Sequence, residues 1–173
     1  MLIKFFVFMK TKRSFQHYYL LVLLITYVNF LFGCSSKVIV GGGYSKKNTL
    51  LTQHIVKTAQ SQIGTRYVLG GTTPRGFDCS GLVWWAYKKH GVCIPRLTED
   101  QARAGIAIKF HAIKPGDIII FKTCKGRSGL HSGLYTGCGR FIHSPRSGKH
   151  VRHDKIENLY WKSKLHTIRR IIQ

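Results

Sequence analysis

The chain has 173 residues, with 28 Lys and Arg against 6 Asp and Glu, a formal net charge of +22 and 44% hydrophobic residues. A chain of this length makes one folded domain, and its apolar fraction excludes wholesale disorder despite the charge. The charge calls for a polyanionic neighbour, such as nucleic acid, anionic lipid or an acidic envelope; the basic residues form only short clusters such as Lys46-Lys47, Lys88-Lys89 and Arg169-Arg170, and no nucleic-acid-binding motif accompanies them.

The first segment reads as an address. Lys10, Lys12 and Arg13 precede a stretch, Ser14 to Ser36, with no charged residue, and Tyr18 to Phe32 is almost wholly apolar. A positive region followed by about 7–15 apolar residues is the layout of a secretory signal; the run is short of the ~20 residues of a spanning helix, which would be the alternative, an uncleaved anchor. Met9 is a candidate start beside Met1. The run closes on Leu31-Phe32-Gly33-Cys34, which resembles the bacterial lipoprotein signal. That resemblance implies cleavage after residue 33, lipid modification of Cys34 and a lipid-anchored protein of the cell envelope, with Ser35 compatible with outer-membrane sorting. Residues 1–33 hold four basic residues and no acid, so +18 belongs to the exported part. Residues 34–50, with Gly41-Gly42-Gly43 and three lysines, read as a flexible tether ahead of a domain over 51–173.

Within that domain Leu51, Ile55, Ala59 and Ile63 form one apolar helical stripe that Gly64 ends. A Gly-rich extended stretch, Tyr67 to Pro74, follows. Asp78 is placed to cap a second helix running from Cys79 or Ser80 to His90 and stopped by Gly91. Thr98-Glu99-Asp100-Gln101 has capping-box spacing for a short third helix. After the turn signal Lys114-Pro115-Gly116-Asp117 the pattern changes to short β-branched or aromatic runs: Ile118 to Lys122, Gly133 to Thr136, Arg140 to Ser144, Lys149 to Arg152 and His166 to Ile172, as in an antiparallel meander. Helices followed by strands predict an α+β domain, N-terminal helices packed on an antiparallel β-sheet.

Cys79 sits at a predicted helix start, where the dipole and open amides favour thiolate. If Leu130 to Tyr135 and Arg140 to Ser144 are adjacent antiparallel strands, His131 and His143 lie side by side, one to take the thiol proton and one to orient the first. Taken singly, each has a structural reading too: a buried cysteine, a core histidine, a histidine supporting the Ser144-Pro145 turn. The remaining histidines have no ligand spacing, so no metal is expected. Trp84 and Trp85 read as core and groove wall. Cys93, Cys124 and Cys138 leave open one disulfide or none.

Asp78-Cys79-Ser80-Gly81, Pro95-Arg96 with Gln101, Pro115-Gly116-Asp117, His131-Ser132-Gly133-Leu134-Tyr135-Thr136-Gly137 and Gly139-Arg140-Phe141-Ile142-His143 together resemble the NlpC family of papain-like cell-wall cysteine peptidases. The resemblance runs from Ala59 to about Ile172. It implies a papain-like NlpC-type fold, Cys79 as nucleophile, His131 as general base, His143 as the orienting third member, and Tyr67 beside the nucleophile assisting the oxyanion or substrate. The Cys79 amide would be the main oxyanion donor. Asp78 and Ser80 are candidate substrate contacts, Asp78 equally a plain N-cap. Two positions depart from the family pattern: Ser132, where Val or Ala is usual, and Cys138, where Asn, Asp or Gly is common.

The implied function is a lipid-anchored murein endopeptidase acting, without a cofactor, on peptidoglycan stem peptides, at the bond from γ-linked D-Glu to the diamino acid or at a crosslink. Anionic envelope polymers are candidate partners, nucleic acid is not, and a monomer is expected. Two other readings stand beside it: a non-catalytic cell-wall-binding lipoprotein, and an amidase or acyltransferase on another substrate, whose permuted relatives place the histidine before the cysteine.

Overall fold

The computed structural model describes residues 46–123 and 129–173; the signal-like segment, Cys34, most of the expected tether and Cys124 lie outside the described residues. In chain order the elements are α1 (Lys46–Gln60), β1 (Thr72–Thr73), β2 (Gly76–Phe77), α2 (Cys79–Lys88), α3 (Thr98–Gln101), β3 (Ile106–Ala107), β4 (Ile118–Lys122), β5 (Leu130–Gly137), β6 (Arg140–His143), β7 (Arg152–Lys155), α4 (Leu159–Lys162) and β8 (Leu165–Arg170). A 6-stranded antiparallel sheet has the order β3-β8-β4-β5-β6-β7, and β1 pairs with β2 in a small ribbon. The α+β expectation therefore holds.

Alternation along β4 explains why the sheet is covered on both faces. Ile118 and Ile120 join Leu134 and Ile142 under the helices, against Ile55, Leu82, Val83 and Ala86. Ile119 and Phe121 point the other way, into Tyr135, Phe141, Ile156, Trp161 and Ile168. Each such side chain fully removed from water stabilises the fold by about 1.5–3 kcal/mol.

Several boundaries differ from the sequence reading. α1 begins at Lys46 and ends at Gln60, so the last residues assigned to the tether are helical, and tight bonds from Gln62 to Ala59 and Ile63 to Gln60, both 3.1 Å, close it before the half-exposed Ile63. α3 has no capping box: Leu97 is its N-cap and makes no side-chain bond, because Thr98 and Gln101 are buried and turned toward the N-terminal end of α2. The strand expected at Lys149 to Arg152 lies at Arg152–Lys155 instead. Lys149 and Val151 give their backbone to the segment after α1, through Tyr67 N to Lys149 O at 2.8 Å, Gly64 N to Val151 O at 2.9 Å and Val151 N to Thr65 O at 2.8 Å. Nor is the sheet a plain meander, since the last strand returns to pair with β4. That return is fastened by Arg170, which grips Asp117 with Nε at 2.8 Å and Nη2 at 2.7 Å.

Candidate active site

The chain enters α2 through Asp78. Its Oδ1 accepts the Gly81 amide at 2.7 Å, the N-cap the sequence suggests, while Oδ2 accepts the Gly70 amide at 2.9 Å and Arg96 Nη2 at 2.6 Å. Arg96 Nη1 also donates to Ser80 Oγ at 2.8 Å. Asp78 and Ser80 are thus tied into the support of the helix start and do not line the groove beside it. The support is packed tightly: a Cβ on Gly81 would stand 2.0 Å from the Gly71 carbonyl oxygen.

Cys79 follows as the first residue of α2, half-buried, with Sγ 3.8 Å from Thr98 Oγ1. Its amide has no intrahelical acceptor by position. Burial pushes the thiol up; the Ser132 amide, the Thr98 hydroxyl and the Ser80 amide act to lower it but do not prevail, and Asp78 adds to the rise. The thiolate expected from a helix start is therefore not the resting form, since desolvation outweighs the open amides.

Strands β5 and β6 pair with Leu134 opposite Ile142 and Tyr135 opposite Phe141, which brings the two histidines together as anticipated. His131 Nε2 lies 2.7 Å from His143 Nδ1, and both rings are buried. The hairpin between the strands turns on Gly137, Cys138 and Gly139, all with positive φ. Cys138, at φ 50, occupies a left-handed position that favours Gly, Asn or Asp. Ser132, the other departure, is buried and donates to Gln101 Oε1 at 2.7 Å, while Gln101 Nε2 donates to Ser80 O at 3.1 Å and Pro95 O at 3.0 Å. Gln101 thereby bridges the strand that carries His131 and the helix that starts at Cys79.

Asp154 on β7 extends the chain of contacts, and sequence reasoning did not find it. Its Oδ2 lies 3.1 Å from His143 Nε2 and accepts Arg152 Nη2 at 3.1 Å and Trp161 Nε1 at 2.9 Å. Burial alone would raise this carboxyl, but the bonds to His143, Arg152 and Trp161 outweigh it and hold the group well below the ordinary carboxylate range. Being ionised, it accepts only. His143 must then carry its proton on Nε2 and present a bare Nδ1, and His131 must donate from Nε2, leaving its own Nδ1 as the free base. Burial, then the neighbouring His143, push His131 down to about 3, with Asp154 opposing; burial also lowers His143 against the same carboxylate. Thiol and imidazole both rest neutral.

A groove of about 900 Å³ opens on this constellation and is lined by Tyr67, Cys79, His131, Asp154 and Trp161 among others. Tyr67 lines the groove with Cys79: burial, then Cys79 and Asp78, push its hydroxyl up. Trp161, from α4, stacks on His131 with centroids 5.4 Å apart and meets His143 edge-on at 5.1 Å. Trp84 and Trp85 are not groove wall; they pack against the helical core, with Lys88 Nζ 4.4 Å over the Trp84 ring. Among the described residues Cys79, Cys93 and Cys138 are free thiols, and no cluster of three or more potential metal ligands occurs.

The sequence matches the NlpC/P60 family over residues 64–170, well over half the chain. This protein belongs to the NlpC/P60 family. It is 41% identical over 113 residues to the "Probable endopeptidase NlpC" of Escherichia coli (strain K12), covering 65% of this chain and 73% of that relative. It is 34% identical over 119 residues to the gamma-D-glutamyl-L-lysine dipeptidyl-peptidase of Bacillus subtilis (strain 168), covering 68% of this chain and 40% of the relative. An NlpC/P60 family crystal structure from Bacillus cereus ATCC 10987 superposes with a TM-score of 0.66 at 32% identity, over 70% of this chain and 40% of the other. The chain spans only 28% and 40% of the length of two of the curated relatives it matches.

Within this NlpC/P60 domain the residues that sequence reasoning missed, Asp154 and Trp161, sit on short late elements. The one available signal was the scarcity of acid: with 6 acidic residues in the chain, an Asp on the strand after His143 was a candidate partner for it.

Proposed function

We propose that the protein is a lipid-anchored cysteine peptidase that hydrolyses a γ-glutamyl amide bond in peptidoglycan stem peptides, at the junction of D-Glu with the diamino acid. The observation that carries the reading is the unbroken series in which Asp154 sets the tautomer of His143, His143 that of His131, and His131 keeps a bare nitrogen in the groove that Cys79 lines. A binding module has no use for such a series. The relative from Bacillus subtilis is named for cleaving after γ-D-glutamyl, which supports the choice of bond.

In the mechanism the Cys79 proton passes to His131 Nδ1 as Sγ attacks the scissile carbonyl carbon. The oxyanion forms at the Cys79 amide, with Tyr67 alongside. His131 then gives its proton to the leaving amine, the C–N bond breaks and a thioester remains; water, deprotonated by His131, attacks the thioester, releasing the acid and restoring the thiol. Because thiol and base both rest neutral, proton transfer to His131 accompanies the attack of Sγ, and Asp154 stabilises the imidazolium as it forms. Asp78 and Ser80 hold the helix start in place.

The test is mass spectrometry of defined muropeptides. Cys79→Ala is expected to abolish cleavage while circular dichroism stays unchanged; cleavage by the folded variant, or no product from the wild type, overturns the reading. For the anchor, which rests on Leu31 to Cys34, Cys34→Ser is expected to lose a metabolic palmitate label and to leave the membrane fraction; a labelled variant refutes it.

A further inference from the structure

One wall of the groove is strongly basic in a way the proposed mechanism does not use. Arg140, Arg146, Arg152 and Lys155 line it together with His153. Their convergence follows from strand register: Arg140 stands opposite Lys155, and Arg152 opposite His143, on the β6–β7 pair, while Arg146 comes from the loop after β6. Arg152 is paired with Asp154 at 3.1 Å. Among the described residues Arg140, Arg146 and Lys155 make no ion pair, and the other acid of the groove, Glu157, cannot neutralise three cations. The crowding acts on its neighbours: Arg140 adds to the lowering that burial imposes on His153. Like charges gathered in a concave wall beside a nucleophile focus their field on whatever occupies the groove, and guanidinium forks suit a carboxylate.

We propose that Arg140, Arg146 and Lys155 form an anion subsite that binds a free carboxylate of the peptide substrate and makes the enzyme select peptides carrying it. The inference rests on the γ-glutamyl peptidase reading. A stem peptide offers such a group in two places, the α-carboxylate of the γ-linked glutamate and the second carboxylate of a diamino acid such as diaminopimelate; lysine in that position lacks the latter and brings a positive charge instead.

The experiment compares kcat/KM for three synthetic peptides with the same scissile bond: both carboxylates free, the glutamyl α-carboxyl amidated, and the distal diamino-acid carboxyl amidated. In the wild type, amidating one of the two is expected to lower kcat/KM about tenfold, the scale of a lost charge-assisted hydrogen bond, and which amide does so identifies the source. In Arg146→Gln combined with Lys155→Gln, the ratio between free and amidated peptide should fall toward one. Calorimetry of the same peptides with Cys79→Ala reads the preference without turnover, so the subsite is decided even if no peptide is cleaved. An unchanged free-to-amidated ratio in the double variant overturns the subsite while leaving the peptidase reading intact. A variant altered only in low-salt retention on intact peptidoglycan also overturns it, and assigns the cluster to wall attachment.

Discussion

Replacing Asp154 by Asn tests the deepest part of the mechanism, because the two side chains have nearly the same shape and differ in charge and in hydrogen-bond options. In the native protein the carboxylate can only accept, and His143 Nε2 at 3.1 Å must donate to it. An amide can turn its NH2 toward His143 instead, reversing both tautomers so that His131 Nδ1 carries a proton and can take none from Cys79. Losing the charge alone removes a charge-assisted bond of about 1.5–3 kcal/mol from the developing imidazolium, a kcat loss of roughly 10- to 100-fold; tautomer reversal adds to it. KM should change little. Asp154 opposes the lowering of both histidines, so its removal lowers them further and the acid limb of the rate profile moves to lower pH. Asp154→Glu, which keeps the charge, should recover part of the rate. Stopped assays on a defined muropeptide across pH, with melting temperatures alongside, make the measurement. A folded Asp154→Asn enzyme with kcat within about threefold of wild type and an unmoved acid limb would refute the relay and leave Asp154 a structural anchor for Trp161 and Arg152.

Stability should fall with acid well before the carboxylates protonate. His131 and His143 are depressed in the folded state, so the stability tied to keeping them neutral is intact above about 6.5 and is lost as pH falls toward about 3 for His131, at roughly 1 kcal/mol per pH unit for each histidine. Denaturant melts from pH 7 to 4 check this, and a flat profile contradicts it. Asp154, also depressed, adds a loss at lower pH still. Gly81→Ala should destabilise the domain by about 1–3 kcal/mol and depress kcat more than KM, because the new Cβ, 2.0 Å from the Gly71 oxygen, must displace the segment that seats Cys79; wild-type melting and turnover would contradict that packing.

The parts of the site that were legible in the sequence are those whose cause is local or pairwise. Asp78 before an apolar run announces a capped helix, and the cap forms at 2.7 Å. The strands bearing His131 and His143 are separated by a Gly-rich turn, and a hairpin of that kind pairs its strands with little freedom of register. Gln101 shows the opposite case. By spacing it looked like a capping-box residue, yet its amide is spent on Ser80, Pro95 and Ser132, because a buried amide takes the partners that tertiary packing presents.

Composition and motif order by themselves determined an α+β domain with a cysteine at a helix start and two histidines on neighbouring strands, and concentrated +18 of the charge beyond the signal-like segment. Only the tertiary structure decided that burial leaves Cys79 and His131 neutral at rest, that Asp154 and Trp161 complete the site, and that the cations of β6 and β7 gather in one groove. These depend on desolvation and on which strands lie side by side, and both are properties of the packed chain that no stretch of residues encodes alone.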